Sequence, residues 1–68
     1  MKKYYVNKNA QSNGDHEVHT TGCRFMPKPE NKIYLGEHVT CQTAVVEARK
    51  YFRQVNGCYF CSNSCHTQ

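Results

Sequence analysis

The 68-residue chain has no tryptophan, few acidic residues and no long apolar run, and these absences narrow the class of protein. No stretch approaches the roughly 20 consecutive apolar residues of a membrane-spanning helix, so a membrane partner is not expected. Hydrophobic residues make up 38% of a chain that is long enough for one domain, residues 1–68. At this size an apolar core rarely supplies more than about 3–5 kcal/mol, so a disulfide, a metal or a partner subunit is expected to stabilise the fold.

Five cysteines are present, and their number and surroundings favour metal binding over a disulfide scaffold. An odd count would leave one thiol unpaired in such a scaffold. The residues that follow Met1 do not form the apolar core of a signal peptide, so we expect a cytoplasmic protein. Thiols in that compartment are kept reduced, and their regular spacing then more often indicates a metal site.

Two short motifs each place a pair of metal-binding side chains one turn apart. The first is His19-x3-Cys23, and the second, separated from Cys23 by thirty-four residues, is Cys58-x2-Cys61. Such spacing lets both donors of a pair reach one ion, and two pairs complete the tetrahedral sulfur and nitrogen set that Zn²⁺ prefers. The sequence therefore predicts a Zn²⁺ site formed by His19, Cys23, Cys58 and Cys61.

The first half of the chain carries strand and turn signals. Residues 3–7 and 16–21 are predicted strands, separated by an Asn13-Gly14 turn that tolerates the positive φ angles of a hairpin. Prolines in residues 25–32 predict a loop, because proline disrupts both helices and sheet interiors. A brief third strand is expected at residues 33–35.

A helix is predicted from Cys41 to Val55, with Thr40 as its N-cap. Apolar residues recur there at three- and four-residue spacing and form one face. The pair Asn56-Gly57 is expected to provide the left-handed exit that commonly ends a helix. The predicted fold is a small α+β domain in which a two- or three-stranded antiparallel sheet packs on one C-terminal helix.

The predicted helix also separates the remaining cysteines. At 1.5 Å per residue it would be about 21 Å long, so Cys41 is expected to be a buried free thiol far from the second motif. Cys65 and His66 are competing donors: Cys65 could replace His19 and give an all-thiolate site, or both could belong to a solvated tail. We predict that His19 is the fourth ligand and that Cys65 is a free thiol. The other histidines, expected to be exposed and not to bind metal, are His16 and His38.

The order of these features resembles the N-terminal zinc domain of the bacterial alkylation-response protein Ada. The resemblance covers about residues 18–61 and includes the segment from Asn31 to Leu35, an alanine-containing helix, a glycine and C-x2-C. In that family four cysteine thiolates bind zinc, and one of them accepts a methyl group from a DNA phosphotriester. Cys23, Cys58 and Cys61 match ligand cysteines, whereas His19 stands where the family has its reactive cysteine. The resemblance thus implies a zinc site that lacks the methyl-accepting cysteine. It also implies that the site has a net charge of −1 rather than −2, so that the three remaining thiolates are poorer nucleophiles. The whole chain also resembles short bacterial proteins of uncharacterised function.

The expected function is a structural zinc module that binds a partner, either a nucleic acid or a protein. Net charge is +4 and the pI is about 8.9, which favours an acidic partner. Alternatives are a reactive-thiol alkyl acceptor, through one of the three ligand cysteines, and a weak DNA-binding protein. A conventional enzyme is not expected, because four protein ligands leave no open position on the metal. The residues that could contact nucleic acid are basic or aromatic: Arg49, Lys50, Arg53, Lys2, Lys3, Lys8, Tyr4, Tyr5, Tyr59 and Phe60. The favoured alternative is that the lysines serve solubility and that most of these aromatic residues belong to the core.

Overall fold

The structure, a computed structural model, describes residues 1–67 of the chain. Its elements are, in chain order, β1 (Lys2–Asn7), β2 (His16–Thr20), β3 (Lys32–His38), α1 (Cys41–Ala48) and β4 (Val55–Gly57). Single 3-10 turns at Pro29–Asn31 and Asn63–Cys65 precede β3 and follow β4. Within residues 1–67, no helix is long and apolar enough to cross a membrane.

The four strands form one mixed sheet in the order β3-β1-β2-β4. β1 is antiparallel to both β2 and β3, whereas β4 runs parallel to β2. Tyr5 on β1 is paired with His19 on β2, and Val6 with Val18. Because successive side chains of a strand alternate between faces, the two valines lie on one face of the sheet and His19 on the other.

The apolar core lies between α1 and one face of the sheet. Its buried members are mostly small or β-branched, which lets the helix pack closely against the sheet. They are Tyr4, Val6, Val18, Leu35, Cys41, Ala44, Val45 and Ala48. The helix α1 thus packs on the face of the sheet that carries Val6 and Val18. His19 lies on the opposite face, which is called the helix-free face below.

The predicted class, a small α+β domain, is confirmed, but three details of the prediction are wrong. The sheet has four strands rather than two or three, and it is mixed rather than antiparallel because β4 runs parallel to β2. In addition, α1 is followed by β4 rather than ending the fold. The fourth strand is only three residues long, and its pairing partner His16–Val18 lies about 40 positions earlier in the chain. Such a short strand is stabilised by its neighbour in the sheet, so its own composition does not predict it.

The helix ends seven residues earlier than the spacing of apolar residues predicts. After Ala48 the backbone tightens: Lys50 N–H donates to Glu47 O at 3.1 Å and Tyr51 N–H to Ala48 O at 2.9 Å. The aromatic residues that were predicted to extend the apolar face of the helix therefore have other environments. Tyr51 is half exposed, and Phe52 stacks on the His16 ring with centroids 3.7 Å apart. The second cysteine motif therefore follows a strand, not a helix C-terminus.

Gly57 does not have the predicted left-handed conformation, since the glycines with positive φ are Gly14, Gly22 and Gly36. The φ of 94° at Gly14 agrees with the predicted Asn-Gly turn. At Gly57 the reason for glycine is space. A Cβ there would lie 2.7 Å from the Cβ of Cys65 and 2.7 Å from the carbonyl oxygen of Ser62. The chain that follows the second motif thus folds back directly onto β4.

Candidate metal centre

Two distant segments bring the four predicted ligands together. His19 lies on β2, and Gly22, with φ of 92°, turns the chain so that Cys23 N–H donates to Thr20 O at 3.2 Å. Cys58 directly follows β4, and its N–H donates to Val18 O at 2.9 Å. The parallel pairing of β4 with β2 therefore delivers the second motif beside the first.

The distances among the donor atoms match a tetrahedral site. All four donor atoms lie within 4.8 Å of one another. Cys23 Sγ is 3.8 Å from Cys58 Sγ and 3.5 Å from His19 Nδ1, and Cys61 Sγ is 3.8 Å from the same nitrogen. With bonds of 2.3 Å to sulfur and about 2.05 Å to nitrogen, a tetrahedral zinc ion needs edges of about 3.8 Å between sulfurs and about 3.6 Å from sulfur to nitrogen. The cluster could therefore hold a metal ion; that these residues bind zinc remains a prediction.

Burial affects the protonation of the cluster. His19 and Cys58 are each 1% exposed, and Cys23 and Cys61 are half-buried. Burial lowers the pKa of His19, which favours the neutral imidazole that binds metals. Burial, followed by hydrogen bonding with Cys23, raises the pKa of Cys61 to about 12. A bound cation would act in the opposite sense, because a coordinating thiol loses its proton.

Two neighbouring polar groups contact the ligand side chains. The backbone N–H of Thr20 donates to Cys61 Sγ at 3.4 Å, which would stabilise a thiolate there. On the other side of the imidazole, Glu17 Oε1 lies 3.8 Å from His19 Nε2. A carboxylate near one ring nitrogen favours a proton on that nitrogen and leaves the other free to bind metal. The arrangement thus presents His19 Nδ1, not Nε2, to the sulfurs.

Exposed aromatic rings surround a cavity beside the cluster. Phe25 and Phe60 stack with centroids 4.6 Å apart, and Tyr59 meets Phe60 edge-on at 5.2 Å. All three rings are about half exposed or more. The cavity has a volume of about 360 Å³, and its lining is Asn7, Gln11, Glu17, His19, Phe25, Cys58, Tyr59 and Phe60.

The predictions for Cys41 and Cys65 as free thiols are wrong, because the two form a disulfide. Neither belongs to the metal-ligand cluster, so the predicted exclusion of Cys41 is correct although the helix-length argument for it is not. The assumption that every thiol is reduced also fails for this pair. That assumption followed from the expected cytoplasmic location, which remains a prediction. The competing all-thiolate site is excluded in this arrangement, since the Cys65 sulfur is already bonded.

Several residues that could contact nucleic acid are buried or already paired within the chain. Tyr4 is buried in the core, which agrees with the favoured alternative for the aromatic residues and leaves its ring unable to stack on bases. The Tyr5 ring is covered by Lys32, whose Nζ lies 4.4 Å from the ring centroid. Lys50 pairs with Glu47 at 3.1 Å. Tyr59 and Phe60 are exposed, and they belong to the aromatic rim of the cavity.

The remaining histidines have partners outside the cluster. His16 Nδ1 lies 2.9 Å from Asn7 O, and His38 contacts Leu35 O at 2.9 Å and Thr43 Oγ1 at 2.8 Å. His66 Nδ1 lies 2.9 Å from Gly57 O, which places it in the folded C-terminal segment rather than in a solvated tail.

Sequence reasoning missed the disulfide and Glu17. The disulfide could have been found by counting, since assigning three of five cysteines to the metal leaves two, an even number. Glu17 could have been found by alternation, because it is two residues from His19 and shares its face of the strand.

Comparison with known protein families, with curated proteins and with solved structures found no match to this chain.

Proposed function

We propose that this chain is a structural zinc module, whose metal joins the end of β2 to the segment that follows β4. The observation that carries the proposal is the meeting of four sulfur and nitrogen donors at tetrahedral spacing. Three thiolates and one imidazole are a zinc-type set, and four protein ligands indicate a structural role rather than a catalytic one.

A structural metal would fit the size of the molecule. Eight buried apolar residues, several of them as small as alanine or cysteine, form a core too small to be expected to hold the fold alone. Zinc binding to a site that exists only in the folded chain adds its free energy to folding. The module would then present the aromatic rim of Phe25, Tyr59 and Phe60 to a protein or nucleic-acid partner.

The metal itself can be tested on purified protein. We expect one zinc ion per chain by elemental analysis, and loss of dispersed NMR signals when a strong chelator removes it. His19→Gln should lower the zinc content, whereas the matched control His38→Gln should retain it. A chain that stays folded and contains no metal, with cysteine β-carbon shifts of ordinary thiols, would contradict the proposal.

The NMR spectrum also distinguishes the two ring nitrogens. We expect metal binding through Nδ1 of His19, with the proton on Nε2 near Glu17. Long-range nitrogen–proton correlations report this tautomer directly. Glu17→Gln should preserve it, because an amide oxygen can also accept the Nε2 proton, whereas Glu17→Ala should weaken zinc binding by about 10–100-fold.

A second candidate is a reactive-thiol protein that accepts alkyl groups, as the Ada-like interpretation suggests. The observation that favours it is the cavity against Cys58, with half-buried Cys23 and Cys61 nearby. Treatment with methyl iodide separates the candidates. A structural site should protect its thiols until a chelator removes the metal, whereas an alkyl acceptor should lose one thiol with zinc still bound.

A further inference from the structure

The Cys41–Cys65 disulfide has two sulfurs in different environments. Cys41 is the first residue of α1 and is 4% exposed, whereas Cys65 ends the 3-10 turn Asn63–Cys65 and is half-buried. Thiol–disulfide exchange proceeds by attack of a thiolate on one sulfur, so access decides which sulfur is attacked. The difference in burial directs an incoming thiolate to Cys65.

A groove leads to Cys65 from the solvent. Its volume is about 260 Å³, and it lies between the helix and the 3-10 turn. Arg49 is the charged residue among those that line it, so the groove favours a small molecule that carries negative charge. The lining residues are Gln42, Val45, Val46, Arg49 and Cys65.

Cys41 is placed to leave as a thiolate, which keeps the electron pair of the broken S–S bond. It is at the first position of the eight-residue helix α1, and the Thr40 hydroxyl makes no capping hydrogen bond there. The N-terminal end of a helix stabilises a thiolate through its free N–H groups and its dipole. The Ser64 hydroxyl lies 3.3 Å from Cys41 Sγ and can donate to it. A better-stabilised thiolate leaves faster in exchange.

We propose that Cys41–Cys65 is a redox-active disulfide, reduced by an anionic low-molecular-weight thiol that enters the groove beside Arg49. The thiolate of that molecule attacks Cys65 Sγ, the Cys41–Cys65 bond breaks, and its electron pair remains on Cys41. A second thiolate then attacks the external sulfur of the mixed disulfide and releases Cys65. Two external thiols are oxidised to one disulfide, the protein gains two electrons, and the two protons they lose are available to Cys41 and Cys65.

This proposal goes beyond the structural-metal function and does not require it. The exchange uses neither the three cluster cysteines nor His19, and zinc content is measured separately. Failure of one proposal therefore leaves the other to be judged on its own result.

Glutathione, an anionic tripeptide thiol, is the probe for the test, and 2-mercaptoethanol is the neutral comparison. Full-length oxidised protein is mixed with each thiol, quenched with acid and N-ethylmaleimide, and followed by intact mass and peptide mapping. We expect a transient glutathione adduct on Cys65 and not on Cys41. Arg49→Gln should slow the glutathione reaction by about fourfold, the effect of one nearby charge in water. It should leave the mercaptoethanol rate unchanged, and the exposed control Arg53→Gln should leave both rates unchanged.

Variants in which one cysteine of the disulfide is replaced supply a second measurement that does not depend on changing Arg49. In Cys41→Ser, the Cys65 thiol should form a mixed disulfide with oxidised glutathione faster than the Cys41 thiol does in Cys65→Ser. An adduct on Cys41, a disulfide that survives excess glutathione in the folded protein, or equal rates for Arg49→Gln and Arg53→Gln would overturn the proposal. Five free thiols in protein isolated under air would also overturn it.

Discussion

The same C-terminal segment is held by two different kinds of chemistry on the two faces of the sheet. On the helix-free face, Cys58 and Cys61 meet His19 and Cys23 in the candidate metal cluster. On the helix side, Cys65 is bonded to Cys41 at the start of α1. The first link depends on a metal ion and on proton release, and the second depends on the redox state.

This comparison shows how a short chain can stabilise a segment that has little regular structure. Residues 58–67 contain one 3-10 turn and no strand, so they bring few backbone hydrogen bonds of their own. A domain of this size usually needs a metal or a disulfide. Because the two links can be removed separately, their contributions to stability can be measured separately.

The largest effect is expected from the cluster. Cys58→Ser should leave the chain largely unfolded, because structural zinc contributes apparent binding free energies of about 10–16 kcal/mol in small zinc domains. Cys61→Ser should behave in the same way. Far-UV circular dichroism, NMR dispersion and zinc content of the same sample provide the measurement. A Cys58→Ser protein that folds and contains one zinc ion per chain would show that the cluster is not the main link.

A smaller loss is expected at the disulfide. Its cysteines are 24 positions apart, and closing a loop of that length stabilises by about 3–3.5 kcal/mol in the chain-entropy account. Cys41→Ala and Cys65→Ala should therefore lose similar amounts of unfolding free energy in urea titrations of the zinc-loaded protein. If both cysteines were free thiols, Cys41→Ala would cost about 1–2 kcal/mol as a core truncation and Cys65→Ala almost nothing.

At Gly57 the strand β4 contacts the segment that carries Cys65, and substitution of Gly57 tests this contact. A Cβ at this position would overlap Cys65 and Ser62, so Gly57→Ala should cost about 1–3 kcal/mol through overpacking. The cost should fall when Cys65→Ala frees the 3-10 turn to move away, and a double-mutant cycle measures this coupling. An equal cost in both backgrounds would mean that the disulfide does not hold the turn against β4.

The smallest effect is expected at Asp15, which belongs neither to the metal cluster nor to the disulfide. The amide of Gln54 donates to its carboxylate, and Asn56 Nδ2 donates at 3.1 Å; these bonds lower the pKa of Asp15 below its ordinary value. Ionised Asp15 therefore stabilises the fold above pH 4, and this contribution is lost as pH falls through the lowered pKa. Asp15→Asn should cost about 1–2 kcal/mol at pH 7.

Urea titrations at several pH values check this prediction for Asp15. The difference in unfolding free energy between wild type and Asp15→Asn should shrink as pH falls below 3.8, the ordinary value of the group. A difference that stays constant from pH 7 to pH 3 would mean that the carboxylate charge has no part in stability.

Several local signals in the sequence predicted the structure correctly. The small α+β class, the hairpin turn at Asn13-Gly14 and the start of α1 after Thr40 agree with the structure. The spacing within each cysteine motif also brought its two donors together. These features depend on residues close in the chain, so composition and spacing carry the information.

The sequence by itself thus determined which side chains can form the metal cluster, because paired donors one turn apart are a local property. The tertiary structure alone decided that β4 pairs with β2, that α1 ends at Ala48 and that Cys41 bonds to Cys65. Each of these depends on contacts between residues far apart in the chain, where sheet pairing and side-chain packing outweigh local propensity. The apolar spacing continued to Val55, but pairing with His16 took that residue into the sheet and brought the second motif to the first.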